Sequence, residues 1–414
     1  MLRLSHPAAR AQAARLFAIA SLAAIALAGC VTKPVPPAAP PAAVQPETPV
    51  GHPLSENKPT FLNLPNVSAD HTPVRVGVIL PFTSGTPAVK VLAQAMLRSA
   101  QMALYESGNR DIILMTADEG ATPAEAAAAA GRLLEQGAEV IVGPLYGPSV
   151  KAISATARDR GVPVLAFSTD RTVSGDGVYL MGFLPEGDTI RVVDYALGQG
   201  KHSFAALAAT TAFGDVALDA FKSAVTGGKG EVGQVVRFEG TIEGVVEPAG
   251  RIAKTDADAL FIPQGGAVLR AATPALTAGG FVPGKVKLLG TGQWNETANL
   301  ADPALSGAWF AGPDPKDEFA FNAKYHDAFG ANPPPLAALA YDAVSLIAAL
   351  SKGEPYKRFT RAALADPNGF SGAEGIFRFA ADGTAERGLA VIAVTPDGFH
   401  VVDPAPTTFV KPGS

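Results

Sequence analysis

The sequence predicts an α/β protein of two lobes, each a parallel sheet flanked by helices. Three observations carry this. Short β-rich runs alternate with helical stretches, which is the pattern of strands joined by crossover helices. The alternation runs through one series and then starts again. About 340 residues follow Pro73, long for one hydrophobic core and suited to two.

The first series opens with VRVGVIL (Val74–Leu80), a strand ending at Pro81-Phe82-Thr83-Ser84. Ala88–Tyr105 carries apolar residues at helical spacing (Val91, Ala95, Leu97, Met102, Tyr105). Ile112–Thr116 is a strand. Thr122-Pro123-Ala124-Glu125 is a capping box with proline in the first turn, opening a helix to about Glu135. Glu139–Val142, Ser149–Arg160 and Val162–Ala166 complete a βαβαβαβ series. The second series runs through Phe204–Ala208, a helix near Phe213–Val225 and Glu231–Phe238. A helix near Val246–Lys254, then Ala259–Ile262, a helix at Ala267–Thr277 and Val286–Leu289 close it. Two helices follow, Glu318–Phe329 and Leu336–Leu350. Two strand-like runs, Gly375–Phe379 and Leu389–Val394, are joined through Asp382-Gly383, a hairpin signal.

The N-terminus has its own logic. Arg3, Arg10 and Arg15 precede thirteen residues from Leu16 to Ala28. That run is too short for a bilayer span, which takes roughly 20 apolar residues, and has the charged and apolar regions of a secretory signal. It ends in Leu27-Ala28-Gly29-Cys30, which resembles the lipobox of bacterial lipoproteins. Residues 1–29 are thus expected to be a signal peptide, and Cys30, the single cysteine of 414 residues, the acylated residue. Losing the three arginines takes the formal charge from −5 to −8, which leaves no electrostatic footprint for nucleic acid. Attachment to a membrane then falls to acyl chains. Val31, in place of the aspartate associated with inner-membrane retention, favours the outer membrane over the inner and places the globular part in the periplasm. Residues 30–73 hold eleven prolines among alanines and small polar residues. They read as a semi-extended tether that spans roughly 3 Å per residue at full stretch.

An enzyme finds little support. The six histidines are scattered without metal-ligand spacing. Neither GxSxG nor a Walker sequence occurs. Gly228-Lys229-Gly230-Glu231-Val232-Gly233 matches GxGxxG, but it follows a helix and enters a strand, the reverse of the dinucleotide context. No cofactor or metal is expected.

Ligands of open α/β sheets sit beyond the carboxyl ends of strands, where helix N-termini supply free amides. The corresponding loops are Phe82–Gly85, Asp118–Ala121, Pro144–Ser149 and Ser168–Arg171 in the first series. In the second they are Thr211–Gly214, Gln264–Gly266 and Gln293–Asn295. Candidate ligand-binding residues are Asp118, Tyr146, Ser149, Ser168, Thr169, Asp170, Phe213 and Gln264, with Trp294 a possible wall.

Taken in order, VRVGVILPFTSGTP, ADEGATPAEAAAAAGRLLEQGAEVIVGPLYGPSVKAISATARDRGVPVLAFSTD, TTAFGDVALDAFKSAV, DADALFIPQGGAVLRAATPALTAGG and GAEGIFRFAADGTAERGLAVIAV resemble the type I periplasmic-binding proteins of the leucine/isoleucine/valine-binding group. The resemblance covers about residues 74–402. It implies a two-lobed fold with three hinge crossings, near Gly182–Gly187, Phe310–Pro313 and Phe377–Arg378. One lobe is then 74–182 plus 313–376, the other 183–312 plus 377–402, with 403–414 a tail. It further implies a small ligand between the lobes, such as an amino acid or an amide, and delivery to an ABC permease.

The chain also departs from that group. Its amino-acid binders hold the ligand with a serine-rich loop after the third strand, an alanine–threonine pair after the fourth and an acid in the second lobe. Here those positions read Tyr146-Gly147-Pro148-Ser149, Ser168 with Asp170, and Gln264. An ammonium ligand deprived of the acid in the second lobe would need Asp170 from the other. Some outer-membrane lipoproteins of the same fold instead activate a penicillin-binding protein. The long tether suits that reach, so this stands as the alternative partner.

Overall fold

A computed structural model describes residues 73–410. The expected signal peptide, Cys30 and the tether up to His71-Thr72 lie outside the described residues. Two separate, mainly parallel sheets organise the described residues, each with a core on either face.

The first sheet has five strands: β1 (Val74–Leu80), β2 (Ile112–Asp118), β3 (Val140–Val142), β4 (Val164–Ala166) and β5 (Val178–Leu180). All are parallel, in the order β2-β1-β3-β4-β5. The connections are α1 (Pro87–Ser107), α2 (Pro123–Glu135) and α3 (Gly147–Asp159). The capping box of α2 forms as the sequence predicts: Thr122 accepts from the Glu125 amide, and Glu125 returns to the Thr122 amide. β1 is buried along its whole length, as a central strand covered on both faces should be. Val76, Val78 and Leu80 join α1 in one core, and Ile79 joins α2 and α3 in another on the opposite face.

The chain leaves this core at Met181-Gly182 and enters α4 (Pro185–Gly198). The second sheet then forms from β6 (Ser203–Ala209), β7 (Glu231–Phe238), β8 (Ala259–Phe261), β9 (Lys287–Gly290) and β10 (Trp309–Gly312), linked by α5 (Ala212–Gly227), α6 (Ile242–Ile252) and α7 (Gly266–Ala278). Gly228-Lys229-Gly230 is the turn out of α5, while Glu231–Gly233 are already the first residues of the edge strand β7. The chain returns at Pro313-Asp314 to α8 (Pro315–Phe329) and α9 (Ala338–Leu350). These pack on α1 in the first lobe. A short α10 (Arg361–Leu364) leads to a three-stranded antiparallel sheet of β11 (Phe370–Gly372), β12 (Gly375–Phe379) and β13 (Ala385–Arg387). Finally β14 (Ala390–Thr395) and β15 (Gly398–Asp403) extend the second sheet antiparallel, in the order β15-β14-β10-β9-β8-β6-β7.

Three expectations are corrected here. Asp382-Gly383 does turn a hairpin, but between β12 and β13, not between β12 and the strand at 389. Asp382 accepts from both the amide and the hydroxyl of Thr384, and the Ala380 amide closes on the Thr384 carbonyl. So tight a turn pairs Phe379 with Ala385 at once. The third crossing accordingly falls at Arg387–Leu389 and not near Phe377–Arg378. Phe377 and Phe379 are buried in the first core, whereas Leu389 and Ala390 belong to the second. Asp403 closes β15, so the tail starts one residue later than expected.

Candidate functional site

In the first lobe the strand-end loops are braced by carboxylates. Asp118, at the end of β2, accepts from the Phe82 amide at 3.0 Å, the Gly120 amide at 3.2 Å and the Thr83 hydroxyl and amide. Burial pushes its pKa up, but these donors outweigh burial and hold it below the usual carboxylate range. Asp118 thereby shapes the loop after β1.

Its neighbour Glu119 is fully buried and was not foreseen from the sequence. One oxygen takes the Leu145 amide at 2.9 Å, the other the Tyr146 amide at 3.0 Å. The Ser149 hydroxyl also bonds to it. Burial raises the Glu119 pKa, opposed by these hydrogen bonds and reinforced by the charge of Asp118. Ser149, 5 % exposed, therefore spends its hydroxyl inward. The signal was present as a second acid beside the strand-ending aspartate.

Ser168 and Asp170 follow β4. The Ser168 hydroxyl accepts from the Asp170 amide at 3.0 Å, and Asp170 Oδ1 caps a helical turn through the Thr172 amide at 2.9 Å. The other oxygen, Oδ2, lies over the first residue of α3: a Cβ on Gly147 would meet it at 3.0 Å and Ser168 Oγ at 3.3 Å. The structure thus brings Gly147, Ser168 and Asp170 together at one helix N-terminus. Thr169 and Tyr146 are exposed. The Tyr146 phenol sits close to Gly85, where a Cβ would meet it at 3.1 Å, and burial followed by the charge of Glu119 raises its pKa.

In the second lobe the site forms where β6 and β8 end. Thr211 caps α5 by accepting from the Gly214 amide at 3.1 Å, and Phe213 beside it is half-buried. Gln264 is 8 % exposed. Its Oε1 accepts from the Ala209 amide at 3.2 Å, but its Nε2 has no partner. That nitrogen lies against the first turn of α5, 3.1 Å from where a Cβ of Gly214 would stand. Trp294 is not a wall. It is fully buried under Gly290, and its Nε1 donates to the Gln264 carbonyl at 3.0 Å, fixing that loop from below.

Two further contacts join the lobes. Asn295 Nδ2, after β9, donates to Glu318 of α8 at 2.7 Å. Arg171 pairs at 2.8 Å with both Glu186 of α4 and Asp382 of the β12–β13 turn. Among the described residues no group of three or more His, Cys, Asp or Glu could hold a metal ion.

The comparisons with known proteins agree with this fold. A family model described as periplasmic binding protein matches residues 73–398. The chain belongs to that family. Similar solved structures share the fold. A putative branched-chain amino acid ABC transporter protein from Rhodospirillum rubrum has a TM-score of 0.71 at 20 % identity, covering 80 % of this chain and 100 % of its own. A solute-binding protein from R. palustris in complex with benzoate has a TM-score of 0.60 at 20 % identity, covering 82 % and 98 %. A branched-chain amino acid transporter substrate-binding protein from Streptococcus pneumoniae in complex with isoleucine has a TM-score of 0.59 at 19 % identity, covering 80 % and 100 %. No curated protein matches the chain.

Proposed function

We propose that this periplasmic binding protein is a lipid-anchored, non-enzymatic solute receptor that takes a small polar ligand between its lobes for an ABC permease. Family membership supports the class. The observation that carries the ligand site is the unpartnered Nε2 of Gln264, buried at a strand end beside the first turn of α5. A buried donor without an acceptor costs about 1–3 kcal/mol, and a ligand oxygen held between the lobes would supply the acceptor. Asp170 and Ser168 form the facing wall. Cys30 is the site of acylation, and the proline-rich segment after it is a spacer from the outer membrane.

A thermal-shift screen of the full chain carrying Cys30→Ser, against amino acids, amides and aromatic acids, tests the proposal. Ligand at a hundred times its Kd stabilises by roughly 2.7 kcal/mol. Absence of any stabilising solute would overturn it.

A further inference from the structure

We infer that the cleft is electrostatically polarised, so that a solute enters with its cationic or hydrogen-donating end on the first lobe and its carboxylate or carbonyl end on the second. This rests on the solute-receptor reading and adds the class of ligand and its orientation.

The first lobe offers acceptors. A helix N-terminus ordinarily favours an anion, and α3 presents one at the end of β3. The chain has already seated its own carboxylates there. Glu119 occupies the Leu145 and Tyr146 amides and the Ser149 hydroxyl. Asp170 Oδ2 stands over Gly147, and Pro148 has no amide to give. Asp118 adds a third negative charge one residue away. The neighbouring cation, Arg171, is committed to Glu186 and Asp382. A ligand carboxylate placed here would meet like charges within a few ångströms, whereas an ammonium, guanidinium or amide N–H would meet Asp170 Oδ2.

The second lobe offers donors. The helix α5 has sixteen residues, and Thr211 caps only the Gly214 amide in its first turn. The unpartnered Nε2 of Gln264 lies against that same turn. Two acids of the neighbouring turns are paired, Asp215 with Arg237 and Glu296 with Arg270 at 2.6 Å, and Asp188 is engaged by the Gly292 amide at 2.9 Å. An uncharged amide donor beside a helix N-terminus suits a carboxylate or carbonyl oxygen and has nothing for an ammonium. A compact molecule with a cation at one end and an oxygen acceptor at the other fits both walls.

The test is calorimetry on the full chain carrying Cys30→Ser. The probes are ω-amino and ω-guanidino acids of three to six carbons, their amides, benzoate and glutarate. The expected result is binding of a cation-bearing probe and none of benzoate or glutarate. Asp170→Asn should weaken the cation-bearing probe at least tenfold and bring benzoate binding into the measurable range. Gln264→Glu retains the acceptor for the Ala209 amide and so the fold; it should weaken the ω-amino acid at least tenfold more than the corresponding amide. Wild-type binding of benzoate or glutarate, unimproved by Asp170→Asn, would overturn the polarity and leave the solute-receptor reading standing. Silence of every probe with all three proteins, each melting cooperatively, would overturn both.

Discussion

The guanidinium of Arg387 donates to the main-chain carbonyl of Met181 at 2.7 Å, tying the third crossing between the lobes to the first. The same side chain lies 3.5 Å from the carboxylate of Asp342, which is fully buried in α9, and stacks over Phe183 at 4.3 Å. Burial raises the Asp342 pKa, opposed by the charge of Arg387 and the Ala373 amide. One arginine thus holds two crossings and a buried acid.

Arg387→Met should therefore destabilise the fold by about 3–5 kcal/mol, the usual cost of stranding one member of a buried ion pair. Arg387→Met with Asp342→Leu should recover part of the loss, because replacing both charges by apolar groups removes the stranded one. Urea unfolding of the single and double variants measures both. Equal losses in the two would show that the cost of Arg387→Met does not come from a stranded Asp342 charge.

The alternating elements were legible in the sequence because each announces itself locally. The strand VRVGVIL is apolar throughout, and α2 opens on a capping box. The three-residue strands at 178–180, 370–372 and 385–387 were missed, since runs so short carry no periodicity of their own. Asp342 was readable in hindsight: a lone acid in an apolar helix must be paired if buried. In the site, Gln264 and Asp170 stood out as departures from a resemblance. Glu119 did not, since its role depends on amides of a loop 26 residues away.

Glu374 gives a pH signature. Burial first, then the charge of Asp342, push its pKa up to about 8, with Arg387 opposing and Glu318 adding to the rise. A carboxyl whose pKa is raised on folding costs nothing below its ordinary value and destabilises increasingly as pH rises towards the folded value. Between about pH 5 and 8 the wild type should lose stability to this group, and Glu374→Gln should not. At pH 8.5 the variant should be the more stable by roughly 1–3 kcal/mol, with no advantage at pH 4.5. Parallel pH–stability profiles would show that Glu374 is not held neutral in the fold.

Cys30→Ser should abolish incorporation of a fatty-acid probe and leave the chain unprocessed at that site, since the chain has no second cysteine. Labelling of the variant at the wild-type level would rule out acylation at this position.

The tail binds back on the first lobe, and its anchor is testable through a glycine. Phe409 lies under the Arg378 guanidinium, 4.6 Å from it, and against Gly369, where a Cβ would meet the ring at 2.9 Å. Gly369 also has φ +73°, and its Cβ would stand 2.6 Å from the Phe377 carbonyl. Gly369→Ala then has two costs, the backbone and carbonyl strain and the displacement of the ring, together about 1–3 kcal/mol. In a Phe409→Ala background the ring is gone but the strain stays. The substitution should therefore cost less there, though not zero, with a coupling of about 0.5–1 kcal/mol. Additive losses in the double-mutant cycle would mean that Phe409 does not occupy the space left by Gly369. A coupling equal to the whole cost would mean that the left-handed backbone at Gly369 carries no strain of its own.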